Sequence, residues 1–334
     1  MNLSSHSLLS LALFLAMAIG APGQSLTCAR CGKNIEGTYF KVDGRPVCSK
    51  ECAAALMPKC EVCGTQGVRL VQDKNRRTLC DLCFEKALPA CCLCGKKLTR
   101  AIIIEGKVFC EFHSRGPHCA NCLLPFLRGV ELPDGRRLCE ACKTDAVLDG
   151  ETAHALYEQA RDRVAELTAL RSPTLPPLAL VDRRELQKES GDANSRGLYV
   201  RKLTIRETQR LIGPPRVETN ATERILILVG LSHEEFVATA AHELTHDLAA
   251  EYFARIKEGA PRWLEEGVCQ YVAGMVCRKE GFSTPLLRMA ANQDRDYRDG
   301  YLRLIDWFGP ENWPSLFTWI QRSDLHSPSR PAPR

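Results

Sequence analysis

The sequence predicts an α+β protein in two parts, an N-terminal run of small β-hairpins closed by paired cysteines and a mostly α domain with a small sheet. Three observations predict it. Sixteen of the 18 Cys lie between Cys28 and Cys142 and recur at fixed spacings. Helical periodicity begins at Glu151, where Cys all but disappears. One apolar, β-branched run, residues 225–229 (ILILV), stands directly before a second helical pattern. With 334 residues, 45% hydrophobic and 25% charged, the chain is large enough for two domains and at least one sizeable core, which excludes wholesale disorder.

Residues 1–27 carry no Lys, Arg, Asp or Glu, and residues 8–20 form an apolar run too short to span a bilayer. Small residues close the run (Ala18, Gly20, Ala21), the pattern of a signal peptide over residues 1–23. A secreted or periplasmic location is therefore expected, with a retained N-terminal membrane anchor as the less favoured alternative. No later stretch is apolar enough to cross a membrane.

The cysteines form four units. Cys28-x2-Cys31 is followed by Cys48-x3-Cys52, Cys60-x2-Cys63 by Cys80-x2-Cys83, Cys91-x2-Cys94 by Cys110-x2-His113, and Cys119-x2-Cys122 by Cys139-x2-Cys142. Fifteen or 16 residues separate the halves of each unit. These segments (TYFKVDGRPVC, RAIIIEGKVFC, RGVELPDGRRLC) combine strand formers with turn glycines, so each reads as a hairpin joining two knuckles. Two such turns aim four donors at one tetrahedral zinc ion. Disulfides are the competing reading, but His113 stands in a cysteine's place, and a histidine replaces a zinc ligand and not half a disulfide. Each unit has too few apolar residues for its own core, so about four structural Zn²⁺ ions are expected to supply the folding free energy. The expected boundaries are two four-cysteine fingers over residues 28–90 and a further pair over 91–145.

The whole chain carries a formal charge of +5, and the segment from Cys28 to Cys142 holds 19 Lys and Arg against 12 Asp and Glu. Three tetrathiolate sites and one Cys₃His site would carry roughly the opposite charge, so the excess reads as their counter-charge. Nucleic acid is excluded as a partner, because Arg76-Arg77, Lys96-Lys97 and Arg136-Arg137 are scattered pairs at turns and form no basic stripe.

In the second half, residues 151–170 suit an amphipathic helix that RSPTLPP then breaks. After the 225–229 strand, Ser232 and Glu235 form a capping box, and Phe236, Ala240, Leu244, Leu248 and Tyr252 recur at helical spacing. On that helix sits His242-Glu243-Leu244-Thr245-His246, an HExxH. Two His at i and i+4 share one face and can share one zinc, with Glu243 beside them as proton acceptor for water. The alternative, a solvated His/Glu face, fits poorly with the alanines and leucines on either side, because two His and a Glu buried without a metal are costly. Ala249 stands where a metzincin needs Gly, which excludes that class.

A third ligand is required. Glu265 and Glu266 follow His246 by 19 and 20 residues at the start of another amphipathic helix, giving a His₂Glu set. Glu266 is expected to bind the one catalytic Zn²⁺, with Glu265 as its supporting or alternative residue. Tyr297, Tyr301 and Tyr271 are candidates to stabilise the transition state, Cys269 and Cys277 read as small buried apolar residues, and the 225–229 strand could take an extended substrate if it lies at a sheet edge. The peptidase domain is expected over 151–322 and a disordered tail over 323–334.

Several segments resemble a known family, the plant LIM-domain peptidases that limit organ size and are activated by ubiquitination. They are CANC, VELPDGRRLCEAC, DAVLDGETAHALY, SRGLYV, ILILVGL with AHELTH, LEEGVCQ and DYRDGYLRLIDWFG, in that order from about Cys91 to Gly309. The resemblance implies a gluzincin-type zinc endopeptidase with His242 and His246 as ligands, Glu243 as base, Glu266 or its neighbour as third ligand, and LIM-like fingers that include Cys110 and His113. Seven residues separate Cys52 from Cys60 where a strict LIM domain has two, and no ubiquitin-interacting helices precede the fingers. The sequence thus points to hydrolysis of a protein or peptide substrate, with the zinc module binding substrate or a protein partner, or regulating. The competing class is a zinc-stabilised interaction protein with an inactive peptidase domain, and retention of Glu243 argues against it.

Overall fold

The computed structural model describes residues 16–19, 26–66, 68–208, 216–257 and 259–331. The chain divides into two compact units, Met1–Pro117 with Leu123–Leu127 and His118–Cys122 with Arg128–Arg334. It is a mixed α/β chain with several small sheets and an N-terminal series of Cys-rich clusters.

In the first unit each hairpin is short, because it has only to carry two ligand turns to one point. Strands β1 (Ala16–Ile19), β2 (Leu26–Thr27), β3 (Asn34–Ile35), β4 (Thr38–Val42) and β5 (Arg45–Val47) lead into helix α1 (Lys50–Leu56). The next hairpin is β6 (Leu70–Gln72) and β7 (Thr78–Cys80) with α2 (Asp81–Ala87), followed by β8 (Ile102–Ile104) and β9 (Lys107–Phe109) with α3 (Glu111–Ser114). The helices begin immediately after the third donor of each quartet: Ser49 caps α1, and Cys80 and Cys110 are themselves the cap residues of α2 and α3. The fourth donor therefore sits in a first helical turn, where free N–H groups favour negative charge. The apolar support is small, Val42, Val47 and Ala53 under the first quartet and Leu70 and Leu79 under the second.

One expectation changes here. Ala16–Ile19, inside the expected signal peptide, pairs antiparallel with β4 as an added strand of the first hairpin. The rest of residues 1–23 lies outside the described residues.

The second unit opens with the fourth hairpin, β10 (Gly129–Glu131) and β11 (Arg137–Cys139), and helix α4 (Glu140–Thr144). Helix α5 (Gly150–Thr168) follows, capped by Asp149, whose carboxylate accepts the Thr152 N–H at 2.8 Å, and ended by Ala169 in the left-handed region. Next come β12 (Leu178–Val181), α6 (Arg183–Ser190), β13 (Gly197–Thr208) and β14 (Arg216–Leu228). Their order is β12-β14-β13, with β12 parallel and β13 antiparallel to β14. Residues 225–228 of the run are thus on the central strand, and β12 and β13 are the two edges. A buried apolar run is what a strand paired on both sides requires.

The remainder is helical: α7 (His233–Tyr252), α8 (Ala254–Lys257), α9 (Arg262–Glu280), α10 (Ser283–Ala290), α11 (Arg295–Phe308) and α12 (Trp313–Arg322). Helix α7 packs on α5 and on α9, and the core gathers Ile225, Leu226, Ile227 and Leu228 of β14 with Tyr157, Phe236, Val272 and Leu316. Residues 323–331, expected to be disordered, have no regular structure but are tied down. Leu325 is buried in the core, and Arg330 pairs with Asp306. Among the described residues no helix is long and apolar enough to cross a membrane.

Ile227 is fully buried whereas Ile103 in β8 is 57% exposed. Ile227→Ala should cost about 2–5 kcal/mol of stability through lost burial and a cavity, and Ile103→Ala less than about 0.5 kcal/mol. Denaturant midpoints of the two variants check this, and equal losses would contradict the placement of the core.

Candidate metal centres

Among the described residues, four quartets bring their donor atoms within 4.8 Å of one another: Cys28, Cys31, Cys48, Cys52; Cys60, Cys63, Cys80, Cys83; Cys91, Cys94, Cys110, His113; and Cys119, Cys122, Cys139, Cys142. All 18 cysteines are free thiols. Sulfur separations are 3.6 Å for Cys31 and Cys48, 3.7 Å for Cys63 and Cys80 and 3.9 Å for Cys122 and Cys139. Tetrahedral zinc with Zn–S near 2.3 Å needs sulfurs about 3.8 Å apart, so the donors fit that ion. In the third quartet His113 Nδ1 lies 3.4 Å from Cys91 Sγ and 3.3 Å from Cys110 Sγ, as a ligand in a cysteine's place should. Backbone N–H groups of Cys48, His113 and Cys139 each point at a donor sulfur at 3.4 Å.

The electrostatics of a quartet show what kind of ligand it favours. The Cys31 backbone N–H, with that of Cys48, lowers the Cys28 thiol to about 6. The side chains of Cys28, Cys31 and Cys52 push Cys48 up to about 12. One thiolate is welcome and the next is resisted, because like charges crowd the site and a cation is needed to hold them together.

The HExxH centre is built from three helices and a strand. Ser232 starts α7 by accepting the Glu235 N–H at 3.3 Å. The reciprocal half of the capping box is absent, since the Glu235 carboxylate pairs with Arg196 and, at 3.0 Å, with Arg288. The two threonines that a helix interior tolerates least turn their hydroxyls back to the chain, Thr239 to Glu235 O and Thr245 to Ala241 O, both at 2.7 Å. His242 and His246 then meet edge to face one turn apart, ring centroids 4.9 Å from each other.

Helix α9 supplies the carboxylates. Glu266 Oε2 lies 3.3 Å from His242 Nε2 and 3.4 Å from His246 Nε2. For a tetrahedral ion with N and O ligands at about 2.0–2.2 Å, donors stand about 3.3–3.6 Å apart, so these three atoms fit zinc. Glu266 Oε2 is buried and has no hydrogen-bond partner, and His242 Nδ1 is likewise unpartnered. Burial would raise the Glu266 carboxyl, but the two imidazoles hold it well below its ordinary range. Glu265 Oε1 instead meets the other nitrogen of His246, Nδ1, at 3.3 Å.

Cys269, read from the sequence as a small apolar filler, also stands here. Its sulfur and a nitrogen from each of His242 and His246 lie within 4.8 Å of one another. Lying three residues after Glu266, it shares that helical face, which is the signal sequence spacing offered. Burial pushes its thiol up.

Glu243 is buried at 6% exposure, and burial raises its carboxyl above the ordinary range against the pull of both imidazoles. The edge strand passes directly over it. A Cβ on Gly197 would lie 2.6 Å from both Glu243 Oε1 and Thr239 Cγ2, and the Tyr199 backbone is hydrogen-bonded to Glu243. The 225–229 run and the HExxH gave no hint of this strand.

Of the three tyrosines, Tyr297 is the one at the centre. Its ring stacks on His242 at 5.6 Å and 19°, the Arg262 guanidinium lies over the ring at 5.3 Å, and Glu266 holds its hydroxyl. Gly267 of α9 and Gly300 of α11 let the two helices touch, since a Cβ on Gly300 would lie 2.1 Å from Trp263 O. Tyr301 instead receives Arg278, and Tyr271 donates to Gly309 O at 2.6 Å, so both are structural.

No family model matches the chain. It is similar to the LIM domain-containing protein HDR3 of Oryza sativa subsp. japonica, 27% identical over 280 residues that cover 75% of this chain and 50% of that protein. It is also similar to Protein DA1 of Arabidopsis thaliana, 26% identical over 279 residues, 74% of this chain and 47% of that protein. The chain spans about half the length of the curated relatives it matches. These findings correct the expected secreted or periplasmic location: the relatives are plant LIM-domain proteins, and part of the expected leader is a paired strand of the first hairpin. The chain is thus similar, at 26–27% identity over about three quarters of its length, to the plant proteins HDR3 and DA1.

Proposed function

We propose that this chain is a zinc metalloendopeptidase of the gluzincin kind, hydrolysing peptide bonds of a protein or peptide substrate. The observation that carries this reading is the convergence of His242 Nε2, His246 Nε2 and the unpartnered Glu266 Oε2 at separations of 3.3 and 3.4 Å, beside a buried carboxylate on the same helix. His242, His246 and Glu266 hold the catalytic Zn²⁺, and the four quartets hold structural Zn²⁺. Glu266 is preferred to Cys269 because its Oε2 faces both Nε2 atoms, at 3.3 and 3.4 Å.

Zinc bound there supplies Lewis acidity, acidifying water and polarising a carbonyl. Glu243 takes the proton from the attacking water and returns it to the leaving amine, a task its raised pKa and buried position suit. Tyr297 positions Glu266 and His242 through its hydroxyl and its ring. Edge strand β13 takes the place expected for the 225–229 strand. It offers its free edge to an extended peptide beside Glu243, so that the scissile carbonyl lies across the base. The three quartets of the first unit form LIM-like fingers that bind substrate or a protein partner, a reading supported by the LIM domain in the name of HDR3.

With the chain fully loaded with zinc, Glu243→Gln should lower hydrolysis of casein or a peptide library by about 10²–10⁴-fold at unchanged zinc content. Equal rates would overturn the enzymatic reading. Competition with a chelator should rank the ligands: Glu266→Ala removes the catalytic zinc, Glu265→Ala and Tyr297→Phe weaken it by about 10–100-fold, and a loss confined to Glu265→Ala would exchange the two glutamates. Gly197→Ala should cut activity while the fingers keep their zinc, because the new methyl meets Glu243 at 2.6 Å; full activity would move the strand away from the base.

A further inference from the structure

The fourth quartet differs from the others in what surrounds it. Its two halves close on the turn at 229–232 that joins β14 to the HExxH helix, and all of these residues belong to the second unit. From the Cys119-x2-Cys122 turn, Asn121 Nδ2 donates to Gly230 O at 2.9 Å. From the hairpin that leads to Cys139, the Arg136 guanidinium donates to Val229 O at 2.7 Å. After Cys142 the chain continues the clamp: Val147 N–H donates to Leu231 O and Gly230 N–H to Val147 O, each at 2.8 Å, and His233 N–H donates to Asp145 O at 3.1 Å. Four backbone groups of a single turn and the first N–H of α7 are thus satisfied by the finger and its exit.

The clamp is itself braced. The Asp134 carboxylate, fully buried, holds Arg136 at 2.8 Å and accepts the Arg183 N–H at 2.9 Å. Leu132 and Leu138 cover the turn so closely that a Cβ on Gly230 would lie 2.7 Å from Leu132. Arg288 donates to Asn121 O and pairs at 3.0 Å with Glu235 in the first turn of α7. That helix carries His242 ten residues beyond Ser232, about 15 Å along a rigid rod.

We propose that the fourth quartet is a positioning element of the catalytic helix: by clamping the 229–232 turn it sets where His242 and His246 stand, so that loading of Cys119, Cys122, Cys139 and Cys142 governs how tightly the HExxH donors keep their own metal. Asn121 and Arg136 are the positioning residues that transmit the coupling. The inference rests on the metallopeptidase reading. Physically, the finger has too little apolar surface to hold its shape without a metal, and a clamp that loosens releases the N-terminus of α7. The affinity of a site built on two helices falls when one of them loses its register.

The test uses the full chain and zinc alone, with metal content by mass spectrometry, chelator competition for the most weakly held ion, and circular dichroism as a check on folding. Cys119→Ser with Cys122→Ser should lose two zinc ions, its own and that of the HExxH centre, whereas Cys60→Ser with Cys63→Ser in the second quartet should lose one. Because the first pair could unfold the finger broadly, Arg136→Ala combined with Asn121→Ala is the decisive variant. It keeps every donor and should release the HExxH zinc to chelator at least about tenfold more readily. Retention equal to that of the unaltered chain overturns the coupling and leaves the enzyme reading standing. A chain whose zinc content is unchanged by His246→Ala overturns both.

Discussion

Donors that repel one another are the constraint on which this structure depends. Four sulfurs, or three with one nitrogen, held 3.3–3.9 Å apart make a cluster that a polypeptide cannot hold by itself, whereas the two imidazoles at 3.3 and 3.4 Å from one carboxylate oxygen attract it and have to be held dry instead. The first unit submits to this openly. Its strands are two to five residues long, its apolar support is a few side chains per quartet, and most of its fold is a means of carrying knuckles to a point. The second unit meets the same demand from the other side, with a large apolar core that keeps a few polar atoms close and dry.

That division explains where the buried polar groups are. Glu235, His242, Glu243, Thr245 and Asp247 are all buried on one helix, and Glu266 on its neighbour. A helix with so much polarity inside is tolerable because α5 and α9 pack against it, its hydroxyls return to its own carbonyls, and its first-turn carboxylate is neutralised by Arg196 and Arg288. The arginines that do this come from the segment before β13 and from α10, so the helix is fixed by groups distant in sequence.

How much of this was legible in the sequence follows from the range of each interaction. The quartets and the HExxH are local patterns: the four donors of each quartet meet, and His242 and His246 meet each other, with Cys269, not expected as a donor, as the third group within reach. Glu266 was narrowed to a pair of neighbours because a helix start and an apolar stripe are also local. The rest depended on tertiary contact. A run such as ILILV says that a strand is buried and is silent on its neighbours, so its central place could not be read and the edge strand over Glu243 went unseen. Three tyrosines looked alike until the close crossing of α9 and α11 set one of them against His242. An apolar stretch near the start had the composition of a leader, and composition does not reveal that four of its residues pair with β4.

Gly197 carries one more consequence. It pairs with Ile227 at the start of a hairpin whose two long arms, β13 and β14, match residue for residue over their whole length. Such ribbons can slide by one residue, which turns every side chain to the opposite face. Here a slide in either direction would bring Arg196 or Leu198 to the place where even a methyl group meets Glu243 at 2.6 Å. Glu243 therefore acts as a feeler gauge for the sheet: only the one alignment that puts no side chain beneath it can close, and misaligned hairpins are rejected by this buried carboxylate itself.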